Sequence, residues 1–196
     1  MTDIQTTIAA ERTDLLNLLT ALPAADWDSP SLCAGWRVRE VVAHITMAYR
    51  YSGPRVLLGM AKAGGSFNRF ADRAARADAA AMSTADLLDC LRSNVDNVWK
   101  PPGGRYEDAL AHDVIHGLDI TVALGIDRQV PLDRLRPILE GLRPKQAKYF
   151  GVDLSNTALR ASDLEWSYGA GEVVTGTAQD LVLLISGRAA SAAAAS

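Results

Sequence analysis

The chain of 196 residues has three histidines, and two of them, His112 and His116, are four positions apart. On a helix that spacing places two imidazoles one turn apart on one face. Both nitrogens can then reach a single divalent ion, and a third ligand must come from another element. His44 is the remaining histidine. Three neutral imidazoles leave coordination positions open, whereas a structural zinc is usually closed by four protein ligands. An open ion lowers the pKa of a bound water or thiol, or acts as a Lewis acid on a carbonyl. A plainer reading stands beside this one. Three histidines make three pairs, so chance alone gives an i,i+4 pair in about 3% of such chains. A lone helical histidine such as His44 is also more often hydrogen-bonded than a ligand.

These residues need helices to hold them, and the apolar spacing supplies several. Ile4, Ile8, Leu15, Leu18, Leu19 and Leu22 recur at helical spacing before Pro23. Val38, Val41, Val42, Ile45, Ala48 and Tyr49 make the stripe of a helix from about Arg37 to Ser52, which carries His44. Gly53-Pro54 marks a kink or break. A Gly-rich loop and an Ala-rich helix from about Asn68 follow. Ser83 with Asp86 signs the start of the next helix, which ends before Lys100-Pro101-Pro102-Gly103-Gly104. The helix bearing His112 and His116 runs from about Arg105 to Leu124 and stops at Gly125. One or two shorter helices, divided near Pro144, reach about Phe150.

The pattern then changes. Ala158–Tyr168 alternates like a strand, Gly169-Ala-Gly171 reads as a turn, and Glu172–Thr175 as a return strand. Ala178–Ser186 is helical and ends at Gly187. The expected fold is mainly α: a helical bundle over residues 1–150, a small β-hairpin-plus-helix unit over 151–188, and a flexible tail over 189–196.

Charge and composition exclude other classes. The net charge of -3 and the lack of a Lys/Arg run argue against nucleic-acid binding. No run of about 18 apolar residues exists to span a membrane, and the N-terminus does not read as a signal peptide. A cytoplasmic protein is therefore expected. Such a compartment keeps Cys33 and Cys90 reduced; they read as one loop thiol and one half-buried helical thiol.

Other residues carry two readings each. Asp119, three after His116, either orients a ligand as a carboxylate behind it or is an exposed helix residue. Glu40 has the same ambiguity, with pairing to Arg37 or to a Lys or Arg elsewhere favoured. Asn68 either contacts substrate or caps its helix. Arg73, Arg76 and Arg188 are candidates for gripping a carboxylate, although most such arginines are solvated. Trp36, Trp99 and Trp166 read as packing residues.

Several segments together resemble one family. They are Leu32-Cys-Ala-Gly-Trp-Arg-Val-Arg-Glu-Val-Val-Ala-His44-Ile, Phe67-Asn68-Arg-Phe-Ala, and His112-Asp-Val-Ile-His116-Gly-Leu-Asp119-Ile with Ala123-Leu-Gly125. Asp163-Leu-Glu-Trp166-Ser-Tyr-Gly-Ala-Gly171 and Leu183-Leu-Ile-Ser-Gly-Arg188 complete the set. They are similar to the mycothiol-dependent maleylpyruvate isomerase-like group, within the DinB/YfiT-like metal-binding superfamily. The resemblance spans residues 10–188. It implies a four-helix-type bundle with one divalent metal at one end, held by His44, His112 and His116. It also implies mycothiol as thiol cosubstrate and a small electrophile as its target, with conjugation or cis–trans isomerisation as the outcome. Zinc is the first expectation for the ion, with nickel or iron as alternatives. One departure is plain: the isomerase proper has a glutamate where this chain has His112, so a negative charge is missing and the ion is a stronger Lewis acid. The C-terminal unit is also short for that enzyme. A metal-dependent hydrolase using bound water, and a non-catalytic metal-binding or stress-response module, remain open. So does a homodimer.

Overall fold

A computed structural model of the protein describes residues 3–188. The expected tail at 189–196 lies outside the described residues. Helix α1 (Ile4–Ala21) leads through a short 3-10 turn (Ala24–Asp28) to α2 (Val38–Arg50), α3 (Gly53–Lys62), α4 (Phe67–Ala81) and α5 (Thr84–Arg92). Then come α6 (Tyr106–Thr121), α7 (Leu132–Glu140) and α8 (Pro144–Tyr149). Strands β1 (Thr157–Ala161), β2 (Ser167–Gly169) and β3 (Glu172–Gly176) precede α9 (Ala178–Ile185). The architecture is mainly helical with a small three-stranded sheet and a closing helix.

The caps explain where the two histidine-bearing helices begin. Glu40 accepts the Arg37 backbone N–H at 2.8 Å and pairs with the Arg37 guanidinium at 2.6 Å, so the N-terminus of α2 is closed by its own third residue. Asp108 does the same for α6 by accepting the Arg105 N–H at 2.8 Å. Ser83 and Asp86 form the reciprocal pair expected at α5.

Helix α6 serves two cores. Leu110, Val114 and Leu118 face Ile8 of α1, Leu135 and Leu139 of α7, and Leu181 and Val182 of α9. Ile120 packs with Leu15 and Leu19 of α1, Val38, Val41, Val42 and Ile45 of α2, and Leu87 and Leu91 of α5. Buried ion pairs add direction. Glu11 of α1, fully buried, accepts Arg128 at 2.7 Å and Arg134 at 2.8 Å. Gly117 makes room for this pairing, because a Cβ there would lie 2.3 Å from Arg128 Nη1.

Gly53-Pro54 is a full break, one of the two readings the sequence allows: α2 stops at Arg50, and Pro54 lies in the first turn of α3. Three features differ from the sequence reading. Helix α3 is absent from the sequence reading; none of its side chains is fully buried, and Val56 and Met60 pack only partly against the cluster around Phe70. Asn68 is not a cap; Ser66 caps α4, accepting the Arg69 N–H at 3.3 Å.

The third concerns the sheet. Residues 158–168 form two strands rather than one. β1 pairs antiparallel with β2 and parallel with β3, giving the order β2-β1-β3. Asp163 leaves the ladder because its carboxylate accepts the Ala178 N–H at 2.7 Å, in the first turn of α9. Gly171, at φ +119°, then lets the chain pass close to Asn156 and enter β3 alongside β1.

No helix among the described residues is long and apolar enough to cross a membrane. Leu118 is fully buried between α6 and its neighbours. Leu118→Ala is expected to lower unfolding free energy by about 2–5 kcal/mol, read as a lower urea midpoint at constant slope. An unchanged midpoint would contradict this packing.

Candidate metal centre

Helices α2 and α6 lie against each other. Their contact brings His44 to the two α6 histidines. Ring centroids are 4.9 Å apart for His44–His116, 5.3 Å for His44–His112 and 4.7 Å for His112–His116. One nitrogen from each ring lies within 4.8 Å of the others, close enough for one ion to be shared. Trp36 packs on the His44 ring at 5.2 Å and Trp99 on the His112 ring at 5.5 Å. The tryptophans thus act in packing, and two of them pack on the candidate ligands themselves.

The donor set suits a divalent cation. Burial, and then the neighbouring histidines, pushes the His44 imidazole well below its ordinary pKa. Burial also lowers that of His116, although the Asp119 hydrogen bond works the other way. Both rings therefore stay neutral and keep a lone pair. His44 Nδ1 is buried with no hydrogen-bond partner, an arrangement that costs free energy in the absence of a ligand to satisfy it.

Asp119 is fully buried and gathers donors from three parts of the chain. Its Oδ2 meets His116 Nδ1 at 2.9 Å and Cys33 Sγ at 3.0 Å. Arg188 grips both oxygens, at 3.0 and 3.1 Å. Burial alone would raise the Asp119 carboxyl, but the His116 and Arg188 contacts outweigh it and hold it well below the usual carboxylate range. Burial, then the Asp119 charge, pushes the Cys33 thiol far up, so it remains S–H and donates. Cys33 is the residue the sequence reading missed. It reads as a loop thiol, yet its Sγ lies 3.9 Å from His116 Nδ1. Its one sequence signal is its place in the loop just before α2. A second set of potential ligands, Cys33, His116 and Asp119, shares His116 with the three-histidine set.

His112 and His116 open onto a cavity of about 550 Å³. Its walls are largely apolar, with Ala111, Ile115, Ile138, Leu142, Phe150 and Ile185 among them, and Arg188 also lines it. Asn68 does not line it; its Oδ1 instead accepts the hydroxyl of Tyr149, which does. Arg73 donates to the Lys62 carbonyl, and Arg76 pairs with Asp72 and the Gly35 carbonyl. Neither lines the cavity. Glu40 is engaged with Arg37, as favoured above.

Residues 8–121 match the model of the mycothiol maleylpyruvate isomerase N-terminal domain. The chain belongs to this family. The matched segment holds α2 and α6 and so all three histidines, whereas Arg188 comes from beyond it. Two uncharacterized proteins of Mycobacterium tuberculosis, one from each of two strains, are 29% identical, covering 93% of this chain and 84% of theirs. Crystal structures of the mycothiol-dependent maleylpyruvate isomerase and of a histidine-to-alanine mutant share the fold. Each superposes with TM-score 0.62 at 17% identity, over 96% of this chain and 92% of theirs.

The neutral burial of His44 and His116 has a pH consequence for the metal-free protein. Their folded pKa lies below the ordinary 6.5, so between the two values the unfolded chain binds more protons. Stability therefore falls as pH drops below about 6.5. The depressed Asp119 contribution persists until pH approaches the ordinary 3.8. Urea midpoints of metal-free protein are expected to be lower at pH 5.5 than at pH 7.5; the reverse order would contradict neutral, buried rings.

Proposed function

We propose that this member of the family is a metal-dependent enzyme. It binds a low-molecular-weight thiol, mycothiol, and presents it to a small electrophile. His44, His112 and His116 hold a divalent ion, with zinc the first choice and nickel or iron as alternatives. The observation that carries this reading is the meeting of three imidazole nitrogens within 4.8 Å beside a largely apolar cavity of about 550 Å³. Bound there, the ion would favour the thiolate form of a thiol at neutral pH.

The protein's own groups have separable roles. Asp119 accepts the His116 Nδ1–H, which leaves Nε2 with its lone pair. Arg188 neutralises Asp119 and fixes its two oxygens. The bundle, residues 1–150, carries the histidines, and the unit at 151–188 carries Arg188 to the cavity. The apolar part of the wall, Ala111, Ile115, Ile138 and Ile185, gives the carbon skeleton of an electrophile a surface to pack on. All three histidines being ligands, none remains as a free acid or base. The Cys33 thiol, held in its protonated form against Asp119, is not the nucleophile. Asn68 lies outside the cavity walls and touches them only through the Tyr149 hydroxyl.

The test is product formation by metal-loaded protein from an electrophile such as maleylpyruvate or an aryl halide, with and without mycothiol. Turnover should need both the thiol and the ion, and His116→Ala should reduce it to the uncatalysed rate. Equal turnover without thiol would refute thiol activation and point to a hydrolase using bound water. No turnover with any thiol would favour a non-catalytic metal-binding module.

A further inference from the structure

We infer that Arg12 and Asp113 are positioning residues for the ion site, with Arg12 fixing the Asp113 carboxylate and Asp113 fixing the His112 ring. The inference rests on the three-histidine site proposed above. It goes beyond that site by assigning a role to the buried ion pair between Arg12 of α1 and Asp113 of α6.

The two oxygens of Asp113 have different partners. Oδ1 lies 3.0 Å from His112 Nδ1, and Oδ2 lies 2.7 Å from Arg12 Nε. Both charged side chains are 1% exposed. With its Nδ1 hydrogen bonded to a carboxylate, His112 keeps the Nε2 lone pair, and the ring cannot turn without breaking that bond. Adjacent residues on a helix ordinarily point about 100° apart, so this bond holds the ring in one particular orientation.

Arg12 is itself held from several sides. Its Nη1 donates to the carbonyls of Asn97, at 2.5 Å, and Val95, at 3.4 Å, in the loop after α5. Its guanidinium lies 5.2 Å from the Tyr49 ring centroid on α2. Contacts from α2 and the loop after α5 therefore converge on the α1 guanidinium that holds the carboxylate behind one candidate ligand.

The same design recurs one turn along α6. His116 is backed by Asp119, and Asp119 by Arg188. Each α6 histidine thus has its own carboxylate, and each carboxylate its own guanidinium. His44, whose Nδ1 has no partner, lacks such backing. A carboxylate behind an imidazole raises its basicity as a ligand. Two such pairs strengthen a ligand set that carries no negative charge of its own. A pair that served only to tie α1 to α6 would not need to end on a ring that opens onto the cavity.

The test measures zinc affinity by competition with a chromogenic chelator, for wild type, Asp113→Asn, His112→Glu and the His112→Glu/Asp113→Asn double variant. Asp113→Asn should weaken binding about 10–100-fold. In the His112→Glu background no ring remains to be oriented, so the same change should have little effect. An unchanged affinity for Asp113→Asn, or an equal loss in both backgrounds, would overturn the inference and leave a purely structural ion pair. Should Asp113→Asn not fold, Arg12→Met/Asp113→Leu removes both buried charges together. It should show the same loss of affinity, and wild-type affinity in that variant would overturn the inference. Absence of zinc binding by wild type would instead overturn the site itself, a failure distinct from loss of the positioning role alone.

Discussion

Burial of Val38, Val41, Val42 and Ile45 of α2, together with Ile120 of α6 and the leucines of α1 and α5, locks α2 alongside α6. That contact carries His44 to within 4.9 Å of His116 between ring centroids. It also removes water from the His44 and His116 imidazoles, which keeps those two neutral and makes an unpartnered nitrogen costly. The apolar packing and the lone pairs of the candidate ligands are thus consequences of one interface. The caps at Glu40 and Asp108 serve it by fixing where each helix begins, and so which turn each histidine occupies.

Around this centre the charges are paired in sequence outward from the rings. Asp119 with Arg188, and Asp113 with Arg12, place a negative group next to each α6 histidine and a positive group behind it. Isolated, any of these charges would be expensive to bury; paired and hydrogen-bonded, they hold one geometry. The small C-terminal unit gains its importance here. β1 and β3 support α9, and the residues just after α9 deliver Arg188 to Asp119. Cys33, from the loop before α2, completes the grip on the same carboxylate.

Much of this was legible in the sequence because it is local. The His112–His116 spacing, the Ser83–Asp86 cap and the division near Pro144 follow from helix periodicity and turn chemistry, and the structure has all three. Other features depend on distant partners. Cys33 reads as a loop thiol until Asp119, from a segment 86 residues away, is placed against it. Asp113 gives no signal because its relation to Arg12 spans 101 residues. The parallel pairing of β3 with β1 was hidden for a similar reason: alternation marks strands but not their partners, and Asp163 leaves the ladder only because α9 lies beside it. Asn68 is a favoured cap type, but Ser66 occupies that position.

A divalent ion shared by His44, His112 and His116 is the feature on which the proposed chemistry depends. Its most direct test is elemental analysis of purified wild-type protein alongside His44→Ala and His116→Ala, with folding of each checked by circular dichroism. The account predicts about one divalent ion per wild-type chain and loss of that ion from both folded variants. Wild-type protein that holds no ion after incubation with zinc, nickel and iron would contradict it.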